Sequence, residues 1–132
     1  MPAVIAGYSR SPFTPAKKGA LAKTRPDDIA AAVVDKLLED TDIEPSLVED
    51  LLVGCAFPEA EQGYNLARII TFLTKLPETV PGVTINRFCG SSMQAIHEAA
   101  AKVNSGQGDV FIAGGVESMS RIPMTGFNPL PN

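Results

Sequence analysis

The sequence predicts an α/β fold with a mostly parallel sheet flanked by helices. Short apolar runs alternate with stretches in which apolar residues recur every three or four positions, as strands alternate with amphipathic helices. The resulting order, βαβαβαβ, is typical of βαβ units. The chain of 132 residues is 45% hydrophobic and 20% charged, which is enough apolar material for the core of one domain.

The first predicted strand and the first predicted helix are separated by a loop. Ala3–Ala6 is an apolar run ended by Gly7, and residues 9–23 are rich in Ser, Pro, Gly and Lys. Thr24 is predicted to cap the helix that follows, with Asp27 closing a capping box three residues later. The helix is expected to run to about residue 40, because apolar residues recur there at helical spacing: Ile29, Val33, Val34, Leu37 and Leu38.

The middle of the chain contributes two strands and a helix. A short helical turn is predicted over residues 45–49, followed by the compact apolar run Leu51–Phe57, which is typical of a buried strand. An amphipathic helix is predicted over 64–75. Residues 82–88 alternate between apolar and polar side chains and form the third predicted strand.

The last predicted helix covers Cys89–Ser105, and its apolar positions are Met93, Ile96, Ala100 and Val103. The fourth strand is predicted over 110–113, followed by a tight turn at Gly114-Gly115. From residue 119 onward the chain contains three prolines and no periodicity. We therefore expect an α/β domain over 1–118 and the truncated start of a loop region over 119–132.

Composition excludes several classes of function. The net charge of −4 disfavours a nucleic-acid-binding surface. No apolar run approaches the roughly 20 residues that span a bilayer, and the first ten residues do not resemble a secretory signal. Two cysteines do not form a disulfide framework, and neither C-x-x-C nor H-E-x-x-H occurs, so we expect no metal site. We expect a soluble cytoplasmic protein with no nucleic-acid or membrane partner.

Cys89 is the candidate catalytic residue. It lies where the third predicted strand ends and the last helix begins, and ligand sites of open α/β sheets lie at the carboxyl ends of the strands. The partial positive charge of a helix amino terminus favours the thiolate, and free N–H groups there can stabilise an oxyanion. The small residues 90–92 leave room for a substrate. The alternative is a buried, inert thiol.

No catalytic base is evident in the chain. The one histidine, His97, lies eight residues beyond Cys89, which is roughly 12 Å along a helix axis. A base must contact its nucleophile at about 3 Å, so His97 is not the partner of Cys89 in a straight helix. Either the base lies outside this sequence, or Cys89 is not catalytic.

Other chemically capable residues have simpler interpretations. Cys55 is expected to fill the core, although a redox pair with Cys89 is an alternative. Lys17 and Lys18 are interpreted as solvated surface residues. Glu117 is expected to order its loop by hydrogen bonds, without a catalytic role.

Two motifs resemble those of the thiolase family. The segment Asn86–Ile96 resembles the acylation site of thiolases, and Gly114–Ser120 resembles the family's second marker. Residues 10–13 and 19–21 resemble the opening loop of the family, and 61–68 with 97–100 are most similar to degradative 3-ketoacyl-CoA thiolases. The resemblance covers almost the whole chain.

The resemblance implies acyl transfer between CoA thioesters through a cysteine acyl-enzyme, with Cys89 as the acylated nucleophile and its N–H as one oxyanion donor. It implies a duplicated α/β fold, a dimer or tetramer, and no metal or bound cofactor, since CoA enters as a substrate. The family's Gly-His-Pro and Cys-x-Gly-x-Gly motifs are absent from this sequence. The resemblance also implies that the domain over 1–118 is incomplete and lacks its last strand, which in the family follows the loop region. We therefore expect little or no turnover from this chain alone.

Three alternatives remain open at this stage. One is a decarboxylating ketoacyl synthase of the same superfamily, which also acylates a cysteine at a helix start. Another is a truncated product or split-gene subunit that acts in assembly and associates with a missing second half. The third is a redox protein that uses Cys55 and Cys89.

Overall fold

A computed structural model describes residues 2–131 and contains three parallel strands and three α-helices. The elements are α1 (Pro26–Thr41), β1 (Asp50–Gly54), α2 (Leu66–Phe72), β2 (Gly82–Ile85), α3 (Ser91–Asn104) and β3 (Phe111–Gly115), with short 3-10 helices at Pro45–Leu47 and Ala60–Gln62. The sheet order is β2-β1-β3, and both pairings are parallel. The predicted α/β class with a parallel sheet is therefore confirmed.

The sheet lies between two helical layers. On one face, α1 and α2 pack against Leu51, Val53 and Ile112 in the larger of the two apolar clusters. On the other face, α3 places Ala95 and Ala99 against Leu52. Successive residues of a strand point to opposite faces, so β1 contributes to both layers and is buried from Leu51 to Gly54. The core thus sits around β1, the central strand.

The first predicted strand does not form. Residues 2–6 have no regular secondary structure, and Val4 and Ile5 are 83% and 84% exposed. In this segment the Ala3 N–H donates a hydrogen bond to Asn104 Oδ1 at the end of α3. An apolar run becomes a strand only beside another strand, and no described strand lies next to this one.

The helix boundaries also differ from the predictions. Thr24 does not cap α1: the helix begins at Pro26 with Arg25 at the N-cap, and Asp27 accepts hydrogen bonds from the Arg25 guanidinium instead of closing a capping box. Helix α2 is shorter than predicted. Helix α3 begins at Ser91, so Cys89 lies just before its N-cap residue, Gly90.

Two further predictions are wrong. Met93 and Ile96, predicted from helical spacing, are 55% and 40% exposed, and α3 buries Ser91, Ala95 and Ala99 instead. Small residues on that face let the helix approach the sheet closely. Gly114 and Gly115 belong to β3 and do not form a tight turn.

Within residues 2–131, no helix has the length and apolar character needed to cross a membrane.

Candidate active site

Cys89 lies in the connection between β2 and α3. Strand β2 ends at Ile85 and α3 starts at Ser91, and the side chain of Cys89 is exposed. Because all three strands are parallel, this connection lies at the sheet edge where the chain also leaves β1 at Gly54 and β3 at Gly115. The predicted position of Cys89 at the carboxyl edge of the sheet is confirmed.

The connection holds an unusual backbone geometry next to the cysteine. Phe88 has φ of 47°, in the left-handed region that bulky residues rarely adopt. Its N–H donates to Asn86 Oδ1 at 2.9 Å, and its C=O accepts from Ser91 Oγ at 2.6 Å. Ser91 Oγ also accepts from the Arg87 N–H at 2.8 Å. Two polar side chains therefore hold the strained residue in place and fix the direction of the chain at Cys89.

Backbone donors near Cys89 remain available to a ligand. Helix α3 has no side-chain cap at Gly90. The N–H groups of Cys89, Ser92 and Met93 take part in none of the hydrogen bonds found among the described residues. Free N–H groups at a helix start attract negative charge, such as an oxyanion formed when a thiolate attacks a carbonyl.

Glycines in the sheet allow α3 to start directly above the strand ends. A Cβ atom on Gly54 would collide with the backbone of Ser91 and Ser92, and a Cβ on Gly115 would lie 2.7 Å from Ser92 Cβ. The first turn of α3 therefore rests on β1 and β3 with no side chain between them. This contact places the connection that carries Cys89 on a rigid support.

A polar cluster around the buried Gln62 lies behind the same edge of the sheet. Gln62, which is fully buried, donates from Nε2 to Glu117 Oε1 at 2.6 Å and to the Phe57 carbonyl at 2.9 Å. Glu117 Oε2 accepts from the Ala56 N–H at 2.7 Å. The prediction that Glu117 orders its loop by hydrogen bonds is confirmed. Gln62 was missed because nothing in its sequence context distinguishes it from a surface residue.

Cys55 belongs to this cluster and differs sharply from Cys89. It is 1% exposed, its Sγ lies 3.3 Å from Gln62 Nε2, and its thiol donates to Glu117 Oε1 at 3.9 Å. Burial, and next the negative charge of Glu117, raise the pKa of the Cys55 thiol to about 11. The prediction that Cys55 fills the core is confirmed, and both cysteines are free thiols.

The remaining residues considered in the sequence analysis are exposed surface residues. His97 is exposed on α3, two turns beyond its start, and Lys17 and Lys18 are exposed in the opening loop. Among residues 2–131, no three His, Cys, Asp or Glu side chains are grouped as metal ligands would be.

Cys89 sits on an open surface. A cavity of about 370 Å³ lies elsewhere, between the opening loop and α1, where it is lined by residues such as Pro12, Ile29 and Val33. Cys89 is not one of its lining residues. The sulfur of Cys89 therefore lies near free backbone N–H groups but not in a closed pocket.

Comparison with known proteins identifies relatives over nearly the whole chain. Residues 3–129 match the family model described as "Thiolase, N-terminal domain". A 3-ketoacyl-CoA thiolase of Bacillus subtilis is 49% identical over 130 residues, which are 98% of this chain and 33% of the relative. A 3-ketoacyl-CoA thiolase of Hahella chejuensis is 45% identical over 130 residues, 97% of this chain and 33% of the relative. The chain thus spans about a third of the length of these curated relatives.

A solved structure has the same fold. The crystal structure of the Bacillus anthracis acetyl-CoA acetyltransferase matches with a TM-score of 0.83 and 36% sequence identity, covering 89% of this chain and 29% of that one.

Proposed function

The chain belongs to the thiolase family, within the amino-terminal domain of its members, and from this premise we propose that Cys89 is the nucleophile of an acyl transfer to and from CoA. The observation that carries the proposal is the placement of Cys89. Its exposed thiol follows a residue held in the left-handed region and precedes a helix start with free N–H groups. A nucleophile next to preorganised oxyanion donors is what attack on a thioester or ketone carbonyl requires.

The proposed reaction has two steps. The Cys89 thiolate attacks the 3-keto carbon of a 3-ketoacyl-CoA, forming an S–C bond while the bond between C2 and C3 breaks. The departing carbanion takes a proton and leaves as acetyl-CoA. The thiol of a second CoA then attacks the acyl-cysteine, takes the acyl group and releases Cys89. The reverse sequence is a Claisen condensation, and neither direction calls for a metal or organic cofactor.

The substrate class rests on the relatives. The Bacillus subtilis and Hahella chejuensis proteins are named 3-ketoacyl-CoA thiolases. We propose the same class of substrate here, and with it a role in fatty-acid β-oxidation in the cytoplasm.

We propose that full turnover needs groups beyond these 132 residues. His97 is exposed on α3, eight positions beyond Cys89, which puts it out of reach as a base. A steady-state thiolysis assay with acetoacetyl-CoA and CoA on the purified chain is expected to give little or no turnover. Ordinary thiolase rates would contradict this part of the proposal.

The nucleophile itself is tested by trapping the acyl-enzyme. The chain is incubated with acetyl-CoA, whose acetyl group passes to a thiol without breaking a carbon–carbon bond, and acylated peptides are mapped by mass spectrometry. We expect one acetyl group on Cys89 and none in a Cys89→Ala variant. Acylation at another residue, or none in the wild-type chain, would refute the proposal.

A second candidate function is association with another polypeptide chain. Val4, Ile5 and Tyr8 are more than 80% exposed at the start of the chain. Exposed apolar segments of this kind favour association. We propose that the chain forms a homo-oligomer or associates with a complementary second half. Size-exclusion chromatography with light scattering on the isolated chain is expected to show an assembly, and a stable monomer would contradict homo-oligomerisation.

A further inference from the structure

The fully buried Gln62 ties three separate segments together. Its Nε2 lies within hydrogen-bonding distance of the Phe57 carbonyl and of Glu117 Oε1, and its Oε1 accepts from the Ser118 N–H at 2.7 Å. A buried amide costs free energy unless its hydrogen bonds are made, and here both ends of the amide are used. Gln62 therefore fixes the segment after β3 against the segment after β1.

Glu117 extends this connection to the backbone of Ala56. Its carboxylate accepts from three donors: Oε1 from Gln62 and, at 3.9 Å, from the Cys55 thiol, and Oε2 from the Ala56 N–H at 2.7 Å. Hydrogen bonds to a carboxylate are stronger than those between neutral groups. The position of the Ala56 peptide is thus set by a charged acceptor that Gln62 holds in place.

The same residue, Ala56, is bonded to the connection that carries Cys89. Its carbonyl accepts from Asn86 Nδ2 at 3.2 Å, and Asn86 Oδ1 accepts from the Phe88 N–H at 2.9 Å. The rings of Phe57 and Phe88 also lie 6.3 Å apart between centroids. A continuous path of hydrogen bonds therefore runs from Glu117 through Ala56 and Asn86 to the residue that precedes Cys89.

We propose that Gln62 and Glu117 form a positioning clamp for residues 86–90, and so set the geometry of the oxyanion donors around Cys89. The inference rests on the proposed function of Cys89 as an acylated nucleophile. Neither residue has a hydrogen bond to Cys89, so they act through Ala56 and Asn86 as positioning residues. The clamp explains a buried amide and a paired carboxylate that the acyl-transfer steps do not use.

Glu49 provides a matched control at the opposite end of the sheet. Like Glu117, Glu49 is exposed and its carboxylate accepts hydrogen bonds from the backbone of another segment. The donors are the Asp109 N–H at 2.6 Å and the Val110 N–H at 3.4 Å. Glu49 precedes β1, and its partners precede β3. Glu49→Ala thus removes a similar link between the same two strands, at the edge away from Cys89.

The test compares two reactions of Cys89, each assigned by peptide mapping. Acylation by 4-nitrophenyl acetate forms an S–C bond, breaks the ester C–O bond and releases nitrophenolate, while the thiol proton goes to solvent. It builds an oxyanion and needs the donors. Alkylation by iodoacetamide displaces iodide without an oxyanion. Both rates are measured in the wild-type chain, Glu117→Ala, Glu117→Gln and Glu49→Ala, and Glu117→Gln preserves side-chain size.

We expect the ratio of acylation to alkylation to fall about tenfold in the Glu117 variants, since a small misplacement of catalytic donors is costly. In Glu49→Ala it should stay within about twofold of wild type. A wild-type ratio in both Glu117 variants, or an equal fall in Glu49→Ala, would overturn the clamp.

Amide hydrogen exchange separates failure of the clamp from failure of the proposed function. If wild-type Cys89 is not acylated, the nucleophile proposal fails. The clamp still predicts that the amide of Phe88 exchanges faster in the Glu117 variants and not in Glu49→Ala. Unchanged exchange at Phe88 would overturn the clamp by itself.

Discussion

Gly54, the last residue of β1, lies directly beneath Ser91, the first residue of α3. A Cβ atom at position 54 would come within 2.7 Å of the Ser91 carbonyl oxygen and would also collide with the Ser92 nitrogen. Strand and helix therefore meet backbone to backbone. This contact places the start of α3, with its free N–H groups, at the carboxyl edge of the sheet, where Cys89 precedes it.

Replacing Gly54 with alanine should destabilise the chain. The added methyl group meets the backbone of α3, which cannot rotate away, so we expect a loss of about 1–3 kcal/mol of unfolding free energy in urea titrations. Gly114→Ala is the matched control, because a Cβ there meets nothing within 4 Å. Equal losses in the two variants would contradict the proposed contact between strand and helix.

The two thiols should react very differently in the folded chain. Cys89 is exposed, whereas Cys55 is buried with its pKa raised to about 11, so at pH 8 it stays a protonated thiol. A colorimetric disulfide reagent at pH 8 should count one fast thiol per folded chain and two after denaturation. Two fast thiols in the folded chain would show that the Cys55 environment is wrong.

The same shift of pKa affects stability at high pH. Because the pKa of Cys55 is raised above its ordinary value of 9.0, folding favours the neutral thiol. This contribution is complete below pH 9 and should be lost as the pH rises towards 11. The wild-type chain should therefore lose more stability than Cys55→Ala over this range in pH-dependent melts.

Ser91→Ala should loosen the connection that carries Cys89. The hydroxyl group is buried, accepts from the Arg87 N–H and donates to the Phe88 carbonyl. Its removal leaves the Arg87 N–H without this acceptor, at a cost of about 1–3 kcal/mol, whereas the Phe88 carbonyl still accepts from the Ser91 N–H. We expect lower unfolding free energy together with slower acylation of Cys89. Ser105→Ala, in the exposed C-terminal turn of α3, should change neither by a comparable amount.

A pair of charged residues should make stability fall in acid. Arg121 donates from its guanidinium to both carboxylate oxygens of Glu61, and these hydrogen bonds are the main reason that the pKa of Glu61 is lowered. A lowered folded pKa stabilises above the ordinary value of 4.5, and this contribution is lost as the pH falls through the lowered value. The stability difference between wild type and Glu61→Gln, measured by urea titration, should shrink below pH 4.5.

Helical and buried elements were the most predictable parts of the fold. The spacing of apolar residues in α1 and the continuous apolar run of β1 each predict burial from the pattern within a single segment. Ala3–Ala6 has the same apolar character but no described strand beside it, and pairing cannot be deduced from one segment alone. The sequence does not indicate which face of α3 is buried, because the close approach of the helix to β1 favours alanine there over larger residues such as Met93.

The candidate nucleophile was predictable and its support was not. Cys89 combines a reactive residue type with a position between a strand and a helix, and both are visible in the sequence. The supporting residues act through hydrogen bonds to the backbone. The partners of Gln62 and Asn86 are distant in the chain, and those of Ser91 are brought close by the left-handed conformation of Phe88. Such partners are fixed only by the folded structure.

The most direct test of the central claim is whether the fold accelerates acylation of Cys89. The second-order rate of acylation by acetyl-CoA is measured for the folded chain and for a synthetic peptide of residues 84–94, in which Cys89 has no helix start or oxyanion donors. We predict a rate at least about tenfold higher in the folded chain, the order expected from a preorganised site. Equal or slower acylation of the folded chain would show that Cys89 is only an exposed thiol.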